Sequence, residues 1–245
     1  MRRRLDIVLV ERGLAPSRSQ ARDLIKHGMV SINHQVCTRP AAEVDASQAL
    51  TLAPRTTVYV SRGAVKLAAA LDAFGFEPEG RTALDVGAST GGFTEVLLIR
   101  GAKKVYAVDV GHDQLHSSLR NDPRAISLES CDARSLTREL IAEPVTAIVA
   151  DVSFISLTKA LAPALALAAP GAWLVALIKP QFEVGRKRIG KGGIVRDEAA
   201  RQAAVDDVTA WFSAQPGWRI SGIIASPIKG GSGNEEFLLG ALRDG

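Results

Sequence analysis

Two amines and two carboxylates stand at widely separated places in the 245-residue chain, each in a setting that can do chemistry: Lys66 in "SRGAVKLAAAL", Asp151 in "ADVSF", Lys179 in "LIKPQFE" and Glu236 in "GNEEFLL". A partly buried lysine beside a second cation holds its proton less firmly, and carboxylates can orient both the amine and an incoming hydroxyl. In such a set Lys179 is the expected base, Lys66 the neighbouring cation, and Asp151 and Glu236 the orienting acids. Glu235 directly precedes Glu236, so the fourth position is open by one residue. A second cluster, "LDVGASTGGFTEVLLIRG", puts Asp85 at a strand end, then Gly87, Ser89, Gly91 and Gly92 in a turn, then a helix start. Its glycines permit close backbone approach, and the helix start offers unpaired N–H groups. It has no Walker lysine and no G-x-G-x-x-G spacing, so phosphate binding is disfavoured.

These groups need elements to bring them together. From residue 81 onward, apolar runs such as "TALDVGA", "KVYAVDV", "AISLES", "TAIVADV", "AWLVALI", "RISGIIASPI" and "EEFLLGAL" alternate with helical patterns. That alternation predicts a doubly wound α/β domain with a mostly parallel sheet. Open sheets of this kind place ligands at the carboxyl ends of their strands, where Asp151 and Lys179 can converge. Between Lys159 and Lys179 run 19 uncharged residues, about the length of a membrane span. Pro163 suits a first helical turn and Pro170-Gly171 breaks the run, so a helix, a turn and a buried strand are predicted instead.

Residues 1–60 hold 9 Lys/Arg against 5 Asp/Glu, and the remaining residues balance, so the whole net charge of +4 lies in the first quarter. A basic module beside a neutral body points to a polyanion. In this quarter Leu5, Val8 and Leu9 form a helical stripe ended by Gly13. Ser17 is the expected N-cap of a second helix that Gly28 closes, and "MVSINHQV" reads as a hairpin turning at Asn33-His34. The apolar patch after the first arginines is short and cut by Asp6 and Glu11, so no signal peptide is read. Cys37 and Cys131 lie far apart without metal-ligand spacing; reduced thiols, no metal and a cytoplasmic location are expected.

"RLDIVLVERGLAPSRSQARDLIKHGMVSIN" resembles the small RNA-binding module shared by a small-subunit ribosomal protein and many pseudouridine synthases. That resemblance implies that Arg4, Arg18, Arg22 and Lys26 lie on or near a phosphate-facing surface. "D-V-G-x-S-x-G-G-F" resembles the S-adenosylmethionine motif of class I methyltransferases, which implies cofactor contacts from Asp85, the glycine turn and Asp109, the last toward the ribose hydroxyls. "ADVSFISL" stands where amino-methyltransferases often carry an Asn/Asp-Pro-Pro-aromatic stretch, which weakens base nitrogen as the target. The four charged residues resemble the Lys-Asp-Lys-Glu set of FtsJ-like ribose 2′-O-methyltransferases. With "YVSRGAVKL", "KPQFE", "GKGGIVRD" and "GNEEFLL", nearly the whole chain resembles the TlyA family, some of whose members are named haemolysins. One departure is Asp132 in "ESCDAR", where an Asn is expected for the adenine.

The resemblance implies an RNA-binding module over residues 1–59 and a Rossmann-like methyltransferase domain over residues 60–245. It further implies S-adenosylmethionine as cofactor and methylation of ribosomal RNA or ribosomal subunits, at cytidine. Two rivals are a membrane-lytic haemolysin, against which Pro163 and Pro170-Gly171 speak, and a noncatalytic RNA-binding factor that keeps the cofactor fold. Oligomeric state is not legible. The segment "FEVGRKRIGKGGIVRDE", with Arg186, Lys187, Arg188 and Lys191, is expected to be a loop that orders on RNA.

Overall fold

The computed structural model describes residues 3–15, 17–26, 29–33, 35–45, 47–52, 59–185 and 188–245. The chain divides into two compact units, Met1–Val58 and Tyr59–Gly245.

In the first unit, β1 (Arg3–Arg4) leads into α1 (Leu5–Glu11), followed by α2 (Arg18–Lys26), β2 (Val30–Ile32), β3 (Gln35–Val36), β4 (Glu43–Val44) and β5 (Leu50–Leu52). The strands pair antiparallel, β1 with β4 and β3-β2-β5 in a three-stranded sheet. The stripe of Leu5, Val8 and Leu9 packs on Ala21, Leu24 and Ile25 of α2 and on Val30 and Val44. Ile32 faces Gln35 across the expected two-residue turn; Asn33 takes φ 49°, while His34 lies outside the described residues. Gly28 lies outside them too.

The second unit contains α3 (Gly63–Phe74), β6 (Thr82–Val86), α4 (Gly92–Ile99), β7 (Lys104–Val108), α5 (Ser117–Arg120), β8 (Ala125–Leu128), β9 (Val145–Ala150), α6 (Leu157–Leu167), β10 (Ala168–Ile178), α7 (Pro180–Glu183), α8 (Glu198–Ser213), β11 (Trp218–Ala225) and β12 (Phe237–Arg243). Its seven strands run in the order β11-β12-β10-β9-β6-β7-β8. All neighbours from β10 to β8 are parallel, and β12 is antiparallel to both β10 and β11. The fold is Rossmann-like, with a mostly parallel sheet covered on both faces. Leu84, Ile148 and Leu174 point toward α6 and α8; Ala83, Val149 and Val175 point toward α3 and α4. Because the strands are buried on both sides they read as continuous apolar runs.

This explains the 19-residue run. Ala168–Ile178 is a strand joined directly to α6, with its register shifted between Ala168 and Trp173 around the exposed Pro170 and Gly171. Pro163 departs from expectation, since it sits inside α6 rather than in its first turn. The helix starts earlier because Glu183 anchors it, accepting from Leu157 N at 2.8 Å and Ser156 Oγ at 2.7 Å. Among the described residues no helix is long and apolar enough to cross a membrane.

Candidate active site

The sheet changes direction of winding between β6 and β9, and open α/β sheets form their ligand crevice at such a point. Asp85 is the penultimate residue of β6, Asp109 follows β7, Asp151 follows β9 and Lys179 follows β10. Glu236 arrives from the opposite direction. Because β12 runs antiparallel to β10, with Phe237 opposite Ile178, its first residues lie at the edge where β10 ends. Lys66 reaches the same edge from the first turn of α3.

The four charged residues form two ion pairs. Lys66 Nζ donates to Glu236 Oε2 at 2.6 Å, both side chains being almost wholly buried. Lys179 Nζ lies 2.6 Å from Asp151 Oδ1, off the direction of a hydrogen bond, and donates to Ser153 Oγ at 2.8 Å. Each amine thus faces its own carboxylate, as expected of Asp151 and Glu236, and both amines line the same cavity edge. Glu235 does not join them, being half exposed and paired with Arg201 at 3.2 Å and Lys229 at 3.5 Å. Of the two neighbours, Glu236 is the one buried against Lys66.

Two cavities meet at this edge. The smaller, about 290 Å³, is lined by Lys66, Asp151, Lys179 and Gly92. The larger, about 710 Å³, is lined by Asp109, Gly111, Asp132, Asp151 and Phe154. Gly87, Ser89, Asp151 and Ser153 border both, so the two cavities adjoin. Gly87 takes φ +86°, and a Cβ there would lie 2.7 Å from Asp151 O, so only glycine lets the turn pass this close to the end of β9. Gly91 lies outside both cavities, packed beneath Leu115 and Leu119.

The acids differ in their surroundings. Asp109 Oδ2 accepts from Ser89 N at 2.8 Å and Oδ1 from Gly111 N at 2.7 Å, which fixes the carboxylate at the cavity wall. Asp132 accepts from Arg134, which holds it down at about 2. Asp85 lines neither cavity. It is wholly buried beneath the turn, with Oδ2 accepting from Thr94 Oγ1 at 2.7 Å and Oδ1 without a partner among the described residues. Burial pushes its carboxyl up to about 7, despite the Thr94 hydroxyl pulling the other way.

Sequence reasoning missed Ser153 and Phe154. Phe154 is 91% exposed at the cavity mouth, with φ 66° and its ring centroid 5.2 Å from that of Phe182. A large aromatic left open to solvent on a strained backbone signals a contact surface, and neither property can be read from "VSFIS".

In the first unit the basic residues also converge. Buried Asp6 receives Arg4 at 3.0 Å, Arg18 at 3.3 Å and Arg22 at 3.9 Å, and these three guanidiniums are about half exposed. The Lys26 side chain lies outside the described residues, as do Arg186 and Lys187. The segment after α7 is tied at its far end, where Asn234 Oδ1 accepts from Val195 N at 2.9 Å and Nδ2 donates to Gly193 O at 2.8 Å.

A family model described as FtsJ-like methyltransferase matches residues 59–243, and one described as the S4 domain matches residues 3–50. A Mycobacterium tuberculosis protein named 16S/23S rRNA (cytidine-2'-O)-methyltransferase TlyA is 49% identical over 97% of this chain and 89% of its own length. The chain belongs to the TlyA family of FtsJ-like methyltransferases. Within that family, a Brachyspira hyodysenteriae protein named Hemolysin A is 42% identical over 96% of this chain and 98% of its own. The solved structure of a Streptococcus thermophilus protein described as a hemolysin superposes with TM-score 0.75 at 39% identity, covering 99% of this chain and 89% of that one. As a member of the family, this chain is a methyltransferase joined to an S4 RNA-binding module.

Proposed function

We propose that this protein transfers the methyl group of S-adenosylmethionine to the ribose 2′-hydroxyl of a cytidine in ribosomal RNA. The observation that carries this reading is the meeting of the two cavities at Asp151. A ligand in the larger one faces the Lys179–Asp151 and Lys66–Glu236 pairs in the smaller one.

The larger cavity suits a cationic adenosyl ligand. Its volume falls in the range of small-molecule sites, and its wall presents Asp109, Asp132 and Asp151. Asp85, beneath the turn and raised to about 7, adds negative charge there in the fraction that is ionised near neutrality. Asp109 has a lone pair left on each oxygen for a ribose hydroxyl, and Asp132, its oxygens held by Arg134, stands on the adenine side of the wall. When bound, S-adenosylmethionine supplies an electrophilic methyl on a sulfonium.

A ribose hydroxyl is a very weak acid and needs its proton removed as its oxygen attacks. Lys179, in its neutral form, accepts that proton; the ammonium so formed stands 2.6 Å from Asp151, which stabilises it. Ser153 fixes the amine from a second direction at 2.8 Å. Lys66, steadied by Glu236, stabilises negative charge developing on the oxygen. Phe154 offers a stacking face to a base drawn out of its helix, which suits RNA recognition through unstacked nucleotides.

The Arg4, Arg18 and Arg22 cluster outweighs Asp6 by two charges and supplies a phosphate-facing surface on the S4 module. The membrane-lytic reading suggested by the name of the Brachyspira relative has no spanning helix among the described residues to support it. The test is incubation of ribosomal RNA with the protein and methyl-tritiated cofactor, followed by nuclease mapping. Label on a 2′-O-methylcytidine is expected; label on a base, or none, overturns the reading.

A further inference from the structure

Charge is segregated around the two cavities. The larger one is lined by three carboxylates, of which Asp132 is bound to Arg134 and Asp151 to Lys179, leaving Asp109 without a cation among the described residues. In the smaller one Lys66 and Lys179 are each matched by a carboxylate, so these four side chains leave no surplus positive charge whether or not Lys179 has given up its proton. Two further cations line the smaller cavity. Arg62, at the start of α3, and Lys229, in the loop between β11 and β12, both line it and both are exposed. Arg62 makes no ion pair or hydrogen bond through its guanidinium among the described residues. Among the described residues Lys229 meets Glu235 alone, at 3.5 Å, a carboxylate it shares with Arg201. The two come from parts of the chain more than 160 residues apart, yet Arg62 Nη2 lies 3.9 Å from where a Cβ on Gly231 would stand.

We infer that Arg62 and Lys229 form a clamp for the RNA phosphodiester next to the acceptor ribose. The inference rests on the reading that this ribose enters the smaller cavity. The 2′-hydroxyl cannot arrive alone, because the neighbouring ribose carbon carries the 3′-phosphodiester. Beside the Asp109 carboxylate of the larger cavity that phosphate would be repelled, and the paired lysines have no surplus charge to offer it. Arg62 and Lys229 are the exposed cations lining this cavity, and a guanidinium presents the forked donors that phosphate accepts. The clamp also bears on geometry. Lys229 precedes Gly230, whose Cβ position lies 2.3 Å from Glu236 Oε1, so a phosphate held there reaches the loop that seats Glu236 against Lys66.

The test uses the full chain and protein-free ribosomal RNA, with Arg62→Gln, Lys229→Gln, the double variant and Arg62→Lys. RNA affinity is followed across a salt series, S-adenosylhomocysteine affinity by calorimetry, and methyl transfer by label. Each neutral variant is expected to take about 0.7 to 0.9 off the slope of log affinity against log salt, and Arg62→Lys to restore it. The double variant should lose about tenfold or more in RNA affinity, with S-adenosylhomocysteine affinity unchanged. An unchanged salt slope in an active wild-type background overturns the clamp alone. So does a parallel loss of S-adenosylhomocysteine affinity, which would place Arg62 at the cofactor. A wild-type protein that transfers no methyl to ribosomal RNA overturns the proposed function, and the clamp with it.

Discussion

Ile178 of β10 stands directly opposite Phe237 of β12 in antiparallel register, and this pairing brings Lys179 and Glu236, each one residue beyond its strand, to the same edge of the sheet. A lysine leaving one strand and a glutamate entering the next are thereby made neighbours across 57 positions of sequence. The two pairs they form with Asp151 and Lys66 separate the roles of the site's residues, and the consequences can be measured.

Lys179→Ala removes the base without touching the larger cavity, which Lys179 does not line. Methyl transfer should fall by about 10²–10⁴-fold while the affinity for S-adenosylhomocysteine stays within twofold or so of wild type. Single-turnover transfer beside calorimetry distinguishes the two effects. Wild-type turnover by the variant would remove Lys179 from the chemistry.

Asp85→Asn keeps an acceptor for Thr94 but removes the buried charge. In the wild type the folded-state value, about 7, lies above the unfolded value near 3.8. Stability from this group is therefore full below the unfolded value and is lost as pH rises toward 7, by up to about 4 kcal/mol. The variant should be more stable than wild type at pH 8 and converge with it near pH 4, while binding S-adenosylmethionine more weakly. Urea unfolding at a series of pH values checks the first part; a gap that does not change with pH would refute it.

Asp6→Asn loosens the hub that gathers Arg4, Arg18 and Arg22. The Arg4 guanidinium, first among its partners, holds the Asp6 carboxyl below its usual range. Its contribution is present above the unfolded value and lost as pH falls through the folded one, so the S4 module should loosen in acid below pH 4 or so. The substitution itself should cost about 1.5–3 kcal/mol, read as faster amide exchange in α1 and α2 of the full chain. Exchange at wild-type rates would show that the arginines are held by something else.

A chain beginning near Tyr59 retains the whole seven-stranded sheet. It should fold and bind S-adenosylmethionine, yet bind ribosomal RNA more weakly and with a shallower salt dependence, each lost phosphate contact taking about 0.7 to 0.9 off the slope. Equal efficiency and equal slope in the shortened chain would mean that the S4 module is not the RNA anchor.

Much of this architecture is legible in the chain because local patterns carry it. The strand runs show as apolar words, the glycine turn shows by its spacing, the helical stripe of Leu5, Val8 and Leu9 shows by its period, and the charge imbalance of the first quarter needs only counting. Strand ends could be named as the place for Asp109, Asp151 and Lys179 since parallel sheets put ligands there by topology. What tertiary structure alone decided depends on distance through space. Burial, not sequence position, set Glu236 apart from Glu235, and Glu183, folded back from 26 residues away, set the start of α6 at Leu157 rather than near Pro163. Likewise, which carboxylate each of Lys66 and Lys179 meets depends on the register of β12 against β10 and on the seat of α3, and no word of sequence encodes that choice. Side-chain identity gives a residue its possible chemistry, whereas its partner is chosen by whichever strand or helix the packed core brings within about 3 Å.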